Sequence, residues 1–200
     1  MVAQVETRTF FEPQSAPFKN PDANHSNAGH HLGEHHLGEH QIEGLFQIVT
    51  SPHRSFFTNI MAQALRAAGQ GTSVLIVQFL KGGIRMGPEH PIRLCQNLEW
   101  FRCNLPRCID TSELDPAEME SLQALWNYTR DAVLAGRHAM VVLDELSLAI
   151  HLGLIPEAEV LALIQQRPRH VDMILTGPEM PQSLLDEADQ ITELRRSLCP

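Results

Sequence analysis

From Gly44 onward the chain alternates short apolar runs with longer stretches in which apolar residues recur every three or four positions. The runs at 45–50, 74–80, 98–103, 139–145, 171–176 and 190–194 have the length and branched-residue content of strands. Between the first two, residues 55–68 place Ile60, Ala64, Ala67 and Ala68 on one stripe, with Gly69 as a stop, which predicts a helix. Asp115 as N-cap and Pro116 in the first turn open a long helix to about Ala135. Further helices are expected at 156–166 and 181–188. Strands separated by helices of this length predict a doubly wound, mostly parallel sheet in a three-layer α/β/α arrangement. Right-handed crossovers would bring Thr50, Leu80, Asp144 and Thr176 to one edge, where such sheets take their ligands.

Residues 1–41 break this pattern. They are rich in Pro, Asn, His and Gly and have little apolar periodicity, so a disordered extension or loosely docked arm is expected ahead of a domain spanning 42–200. The extension contains a tandem repeat, His30-His31-Leu32-Gly33-Glu34 and His35-His36-Leu37-Gly38-Glu39, followed by His40. His31 with His35, and His36 with His40, are i,i+4 pairs, but Gly33 and Gly38 oppose a persistent helix. The segment reads either as a solvated linker or as an arm in which His30, His31, His35, His36 and His40 take a transition metal.

The strand at 139–145 ends in two adjacent carboxylates, Asp144 and Glu145. At the carboxyl end of a buried parallel strand they are candidates for catalysis and, for Asp144, for holding Mg²⁺. The alternative is a polar strand end that caps a helix starting near Leu146. Composition narrows the partners. A net charge of -9 with no basic cluster argues against nucleic acid. The apolar runs fall short of the ~20 residues a membrane helix needs. The first ten residues lack the pattern of a secretion signal, so a cytoplasmic location is expected. Cys95, Cys103, Cys108 and Cys199 form no CxxC pair and read as reduced structural or surface thiols, with metal ligation as the alternative.

The segment at 141–195, VVLDELSLAIHLGLIPEAEVLALIQQRPRHVDMILTGPEMPQSLLDEADQITELR, resembles the P-loop ATP:corrinoid adenosyltransferases of cobalamin biosynthesis and salvage. So does LRAAGQGTSVLIVQFLKG at 65–82. The resemblance implies a P-loop NTPase-like fold and transfer of the 5′-deoxyadenosyl group from ATP to the cobalt of a reduced corrinoid. ATP and Mg²⁺ would then be bound, with the corrinoid as co-substrate and Asp144 on Mg²⁺. By position, Gln78 and Lys81 match the family's VQFxKG segment, and Thr176 with Gly177 the start of its TGRG turn, which continues here as Pro178-Glu179. A homodimer or a protein partner is left open.

The phosphate loop departs from that family. Against TGxGKGKTT, Ser51, His53 and Ser55 stand at the glycine positions, Phe56 at the Lys and Phe57 at the Mg²⁺-binding Thr; only Thr58 is kept. His53 and Arg54 are the cations left to meet a nucleotide. A side chain forced into the left-handed region costs ~1–2 kcal/mol, and Pro52 removes a backbone donor. Losing the charge-assisted Lys contact costs roughly 1.5–3 kcal/mol. Phosphate binding weaker by at least ~10²-fold is expected. The corrinoid-side GFTW segment has no counterpart in Pro106-Arg107-Cys108-Ile109. Phe56 and Phe57 are expected either to fill core or to plug the triphosphate pocket. The sequence therefore reads as a family member with impaired or lost catalysis. The alternatives are a non-catalytic binding or regulatory protein on this fold, and a metal-handling protein acting through its His-rich arm.

Overall fold

The computed structural model describes residues 3–8, 43–83, 92–94 and 96–196. Eight strands form one sheet: β1 (Ala3–Arg8), β2 (Phe46–Thr50), β3 (Val74–Gln78), β4 (Ile92–Leu94), β5 (Leu98–Arg102), β6 (Met140–Asp144), β7 (Asp172–Gly177) and β8 (Gln190–Arg196). Their spatial order is β1-β8-β2-β7-β6-β3-β5-β4. The six from β8 to β5 are parallel, and β1 and β4 close the two sides as antiparallel edge strands. The helices are α1 (Thr58–Gly69), α2 (Pro116–Leu134), α3 (Leu146–His151), α4 (Glu157–Gln166) and α5 (Gln182–Asp186).

Alternation along the central strands divides the core into two layers, because successive side chains on a strand point to opposite faces. Val74, Ile76, Met140 and Val142 pack with Ile60, Met61, Ala64 and Ala68 of α1. Leu75, Val77, Val141 and Leu143 face the other way, onto Leu122, Trp126, Val160 and Leu163 of α2 and α4. Both faces are covered, which is why these strands read as continuous apolar runs. The three-layer α/β/α expectation holds.

Local signals fared unevenly. Asp115 caps α2 as expected: its side chain accepts from the Glu118 amide at 2.8 Å, and the Glu118 carboxylate accepts from the Asp115 amide at 3.1 Å. Helix α1 starts at Thr58 rather than Ser55, so Ser55, Phe56 and the N-cap Phe57 belong to the preceding loop. Helix α5 is shorter than the 181–188 pattern, and β8 runs two residues past its apolar stretch. Strand β4 has no counterpart among the expected elements. In the amino-terminal extension, Ala3–Arg8 docks antiparallel on β8, from Ala3 opposite Arg196 to Arg8 opposite Ile191. That part is a docked arm, whereas the histidine repeat lies outside the described residues.

Parallel register sets the functional edge. Gln78 stands beside Asp144, and Thr50 beside Gly177, so the strand ends finish together.

Candidate functional site

Three neighbouring strands place a polar residue at or near their last position: Gln78 on β3, Asp144 on β6 and Thr176 on β7. All three are fully buried. A buried carboxylate needs its lone pairs met by donors, and Asp144 is fully met. Thr176 donates its Oγ1 hydrogen to Oδ1 at 2.6 Å, while Gln78 Nε2 and Lys81 Nζ donate to Oδ2 at 2.9 and 2.7 Å. Lys81 is 1% exposed, and its ammonium belongs to this carboxylate. The Gln78 amide is oriented in turn by Trp100, whose Nε1 donates to Gln78 Oε1 at 3.0 Å. Trp100 is a site residue that sequence reasoning passed over; inside a strand it carries no mark beyond bulk.

Lys81 is held by the segment that follows β5. It forms an isolated antiparallel bridge with Cys108, and the Ile109 amide donates to the Leu80 carbonyl at 3.1 Å. Gly82 lies so close to Leu105 and Arg107 that a Cβ there would collide with their backbone. The same segment is braced by a two-point ion pair from Arg107 to Glu118, 3.0 Å at each contact.

Glu145 sits one residue beyond the strand, in the left-handed region with φ 63°, as the N-cap of α3. Its side chain makes no cap hydrogen bond, which corrects the reading of a carboxylate capping that helix. It reaches across the edge to the loop after β2. Arg54 Nε donates to Oε1 and Nη2 to Oε2, each at 2.6 Å. The remaining Arg54 donors go to backbone: Nη1 to the Ile109 carbonyl at 2.7 Å and Nη2 to the Leu80 carbonyl at 3.1 Å. Burial pushes the Glu145 carboxyl above its usual range, against the pull of Arg54 and Lys81.

The other candidates in the loop turn to different tasks. Ser51 is buried and donates to the His53 carbonyl at 2.5 Å. His53 and Thr58 are exposed, and Ser55 is half-buried. Phe57 is 1% exposed and packs into the α1 core layer, whereas Phe56 is 49% exposed and lies over the Lys81 ammonium at 5.1 Å. The two phenylalanines thus divide the alternatives: Phe57 fills core and Phe56 covers the edge. Thr176 and Gly177 close the β7 side. Thr50 Oγ1 donates to the Gly177 carbonyl at 2.8 Å, and Gly177, at φ 141°, abuts the Ser147 hydroxyl.

A divalent metal does not fit this donor set. Mg²⁺ requires oxygen ligands at roughly 2.0–2.1 Å in an octahedron, but side-chain cations and neutral donors hold every oxygen of both carboxylates. Asp144, which the resemblance would place on Mg²⁺, has both its oxygens already bonded to Thr176, Gln78 and Lys81. Elsewhere among the described residues, no cluster of three or more His, Cys, Asp or Glu is arranged to hold a metal, and no helix is long and apolar enough to cross a membrane.

Residues 43–198 match the family model for ATP:corrinoid adenosyltransferase BtuR/CobO/CobP. The chain belongs to this family. Among its relatives, Corrinoid adenosyltransferase CobA of Salmonella typhimurium is 29% identical over 152 residues, which is 76% of each chain. A Corrinoid adenosyltransferase of Escherichia coli is 26% identical over the same length and the same shares. An uncharacterized protein of Nostoc, all2391, is 28% identical over 142 residues, 66% of this chain but only 36% of that protein. The family match covers every strand except β1, so the edge just described lies within the matched residues.

Proposed function

We propose that this chain is a corrinoid adenosyltransferase family protein in which adenosyl transfer is impaired or lost, and that it acts as a binding or regulatory protein. The reading rests on the Arg54–Glu145 clasp. Adenosyl transfer from ATP needs a triphosphate gripped at this edge. Arg54, the cation that stands in the loop, already spends Nε, Nη1 and Nη2 on Glu145, Ile109 and Leu80. Releasing it would leave the buried Glu145 without its two-point partner and with only Lys81, 4.0 Å away, facing it, a loss bounded by the about 3–5 kcal/mol of breaking a buried ion pair. That penalty adds to the missing glycines and lysine of the loop.

The test is direct. The full chain is mixed with ATP, Mg²⁺ and a chemically reduced corrinoid, with the Escherichia coli relative as control, and the cobalt–carbon product is followed spectrally. No product above background is expected. Turnover near the control's would overturn the proposal, and micromolar binding of Mg-ATP by calorimetry would count heavily against it.

A second reading, retained adenosyl transfer, is favoured by one observation. Gln78, Lys81, Asp144, Glu145, Thr176 and Gly177, all carried over from the resemblance, do converge on a single edge. It requires Arg54 to swing away and grip phosphate. The same spectral assay separates the two readings.

A further inference from the structure

We infer that the guanidinium of Arg54 and the ammonium of Lys81 stand in for a divalent metal at the Asp144–Glu145 edge, so that whatever this edge binds, it binds without Mg²⁺ or Mn²⁺. The inference deepens the proposal above and rests on it.

Charge and geometry agree on the point. Two buried carboxylates face two side-chain cations, giving a net charge of zero at the edge. Lys81 Nζ is 2.7 Å from Asp144 Oδ2 and 4.0 Å from Glu145 Oε1, so it lies between the carboxylates, as a bridging ion would. Arg54 takes the outer side of Glu145 through both carboxylate oxygens. A guanidinium matches the two oxygens of a carboxylate in a way a point charge cannot, which fixes direction as well as charge. Adding a divalent ion to this arrangement would leave a surplus of two positive charges beside Lys81, Asp144 and Glu145, whose side chains are at most 1% exposed, where charge is poorly screened. The ion could enter only by expelling a cation, and each cation is anchored elsewhere. Lys81 is pinned by the strand bridge to Cys108 and covered by Phe56, and Arg54 is tied to two backbone carbonyls.

The arrangement also removes a repulsion within the edge. Asp144 and Glu145 would repel one another at the mouth of an unliganded edge, but here the chain neutralises them itself. The exposed face of Phe56 then shields Lys81. An edge built this way is complete as an electrostatic unit. A ligand seated on it would meet Phe56 and the neighbouring, partly exposed Arg54 rather than a metal.

The experiment is a titration of the full chain with Mn²⁺, read by paramagnetic broadening of the backbone amide signals of Leu146, Thr176 and Gly177. Amides beside a bound Mn²⁺ vanish, and the same titration of a variant with His30, His31, His35, His36 and His40 all replaced by Ala removes any contribution of the histidine repeat. In the unaltered chain they are expected to stay sharp to millimolar Mn²⁺, and melting should be the same with Mg²⁺ or with a chelator. In the Arg54→Ser, Lys81→Met double variant the same amides should broaden at least tenfold earlier in the titration. Broadening in the unaltered chain at micromolar Mn²⁺ would overturn the inference. So would a folded double variant, shown by a dispersed amide spectrum, that stays sharp. If the double variant fails to fold, Arg54→Ser alone carries the test, with the same expected direction and the same reversal. The outcomes are separable from the proposed function: cobalt–carbon product with sharp edge amides would sink that reading and leave this inference standing, whereas early broadening without product would do the opposite.

Discussion

Arg54 and Glu145 stand 91 positions apart in the chain and meet through two parallel contacts of 2.6 Å, Nε to Oε1 and Nη2 to Oε2. Glu145 is 1% exposed and Arg54 26% at the side chain. The loop after β2 therefore closes on the end of β6 rather than standing open above it, and the behaviour of both segments should depend on this pair.

Stability should change with pH when the clasp is cut. Burial holds the folded Glu145 carboxyl above its ordinary 4.5, and Arg54 opposes that rise. A carboxyl raised by folding contributes stability that is present below the unfolded value and lost as pH rises through the folded one. Arg54→Met removes the opposing pull and moves the folded value further up. Its deficit relative to the unaltered chain should thus be smallest near pH 4.5 and grow as pH rises through the raised value. Thermal melts of both proteins at several pH values would show this; a deficit that is flat or shrinks with rising pH would refute it.

Removing Lys81 alone should be severe. Lys81→Met leaves Asp144 buried with only Gln78 and Thr176 as donors. The expected cost is about 3–5 kcal/mol, the range for breaking one side of a buried pair. Adding Asp144→Asn should restore much of it, because the orphaned charge is then gone. Denaturant unfolding of the two single variants and the double variant measures the coupling, which should be positive and well above the error.

Adjacent phenylalanines should respond oppositely. Phe57→Ala opens a cavity in the α1 layer and should cost about 3–5 kcal/mol. Phe56→Ala removes a half-exposed ring and its contact with Lys81, worth roughly 0.5–1 kcal/mol. Equal losses in chemical denaturation would contradict the division of roles. The pair also limits redesign of this loop: Phe57→Thr would put a hydroxyl there only by hollowing the core.

Gly177→Ala should be poorly tolerated. Its φ of 141° disfavours any side chain, and a Cβ would run into the Ser147 hydroxyl, which donates to the Pro178 carbonyl at 2.6 Å. Lower melting and a displaced Ser147 are expected. Gly71→Ala is the informative control, since it shares the positive φ but would meet nothing nearby. If both variants melted alike, backbone conformation rather than crowding would explain the effect.

The strands and the site edge were legible because their signals are local. Val74–Gln78 and Met140–Asp144 are buried on both faces, so each reads as a continuous apolar run whose end marks the sheet edge. Asp115 announced α2 because a cap acts on amides only three residues away. The amino-terminal strand Ala3–Arg8 was not legible, since an edge strand paired on one side leaves little periodicity to read. Nor was the start of α1, where Phe57 serves as N-cap without any side-chain cap bond.

Local pattern was enough to establish the layered α/β/α fold, the common edge of Thr50, Asp144 and Thr176, and the lack of glycine between Thr50 and Thr58. Tertiary structure alone decided what fills that absence. Arg54 reads as a stray loop cation until the packing of β2 against β7, and of β7 against β6, brings Glu145 within reach. Trp100 reads as bulk until β5 lies beside β3 and its Nε1 meets Gln78. Charge pairing depends on distance in space, which falls steeply outside a few ångströms and is set by strand order, and strand order is not written in any window short enough to scan.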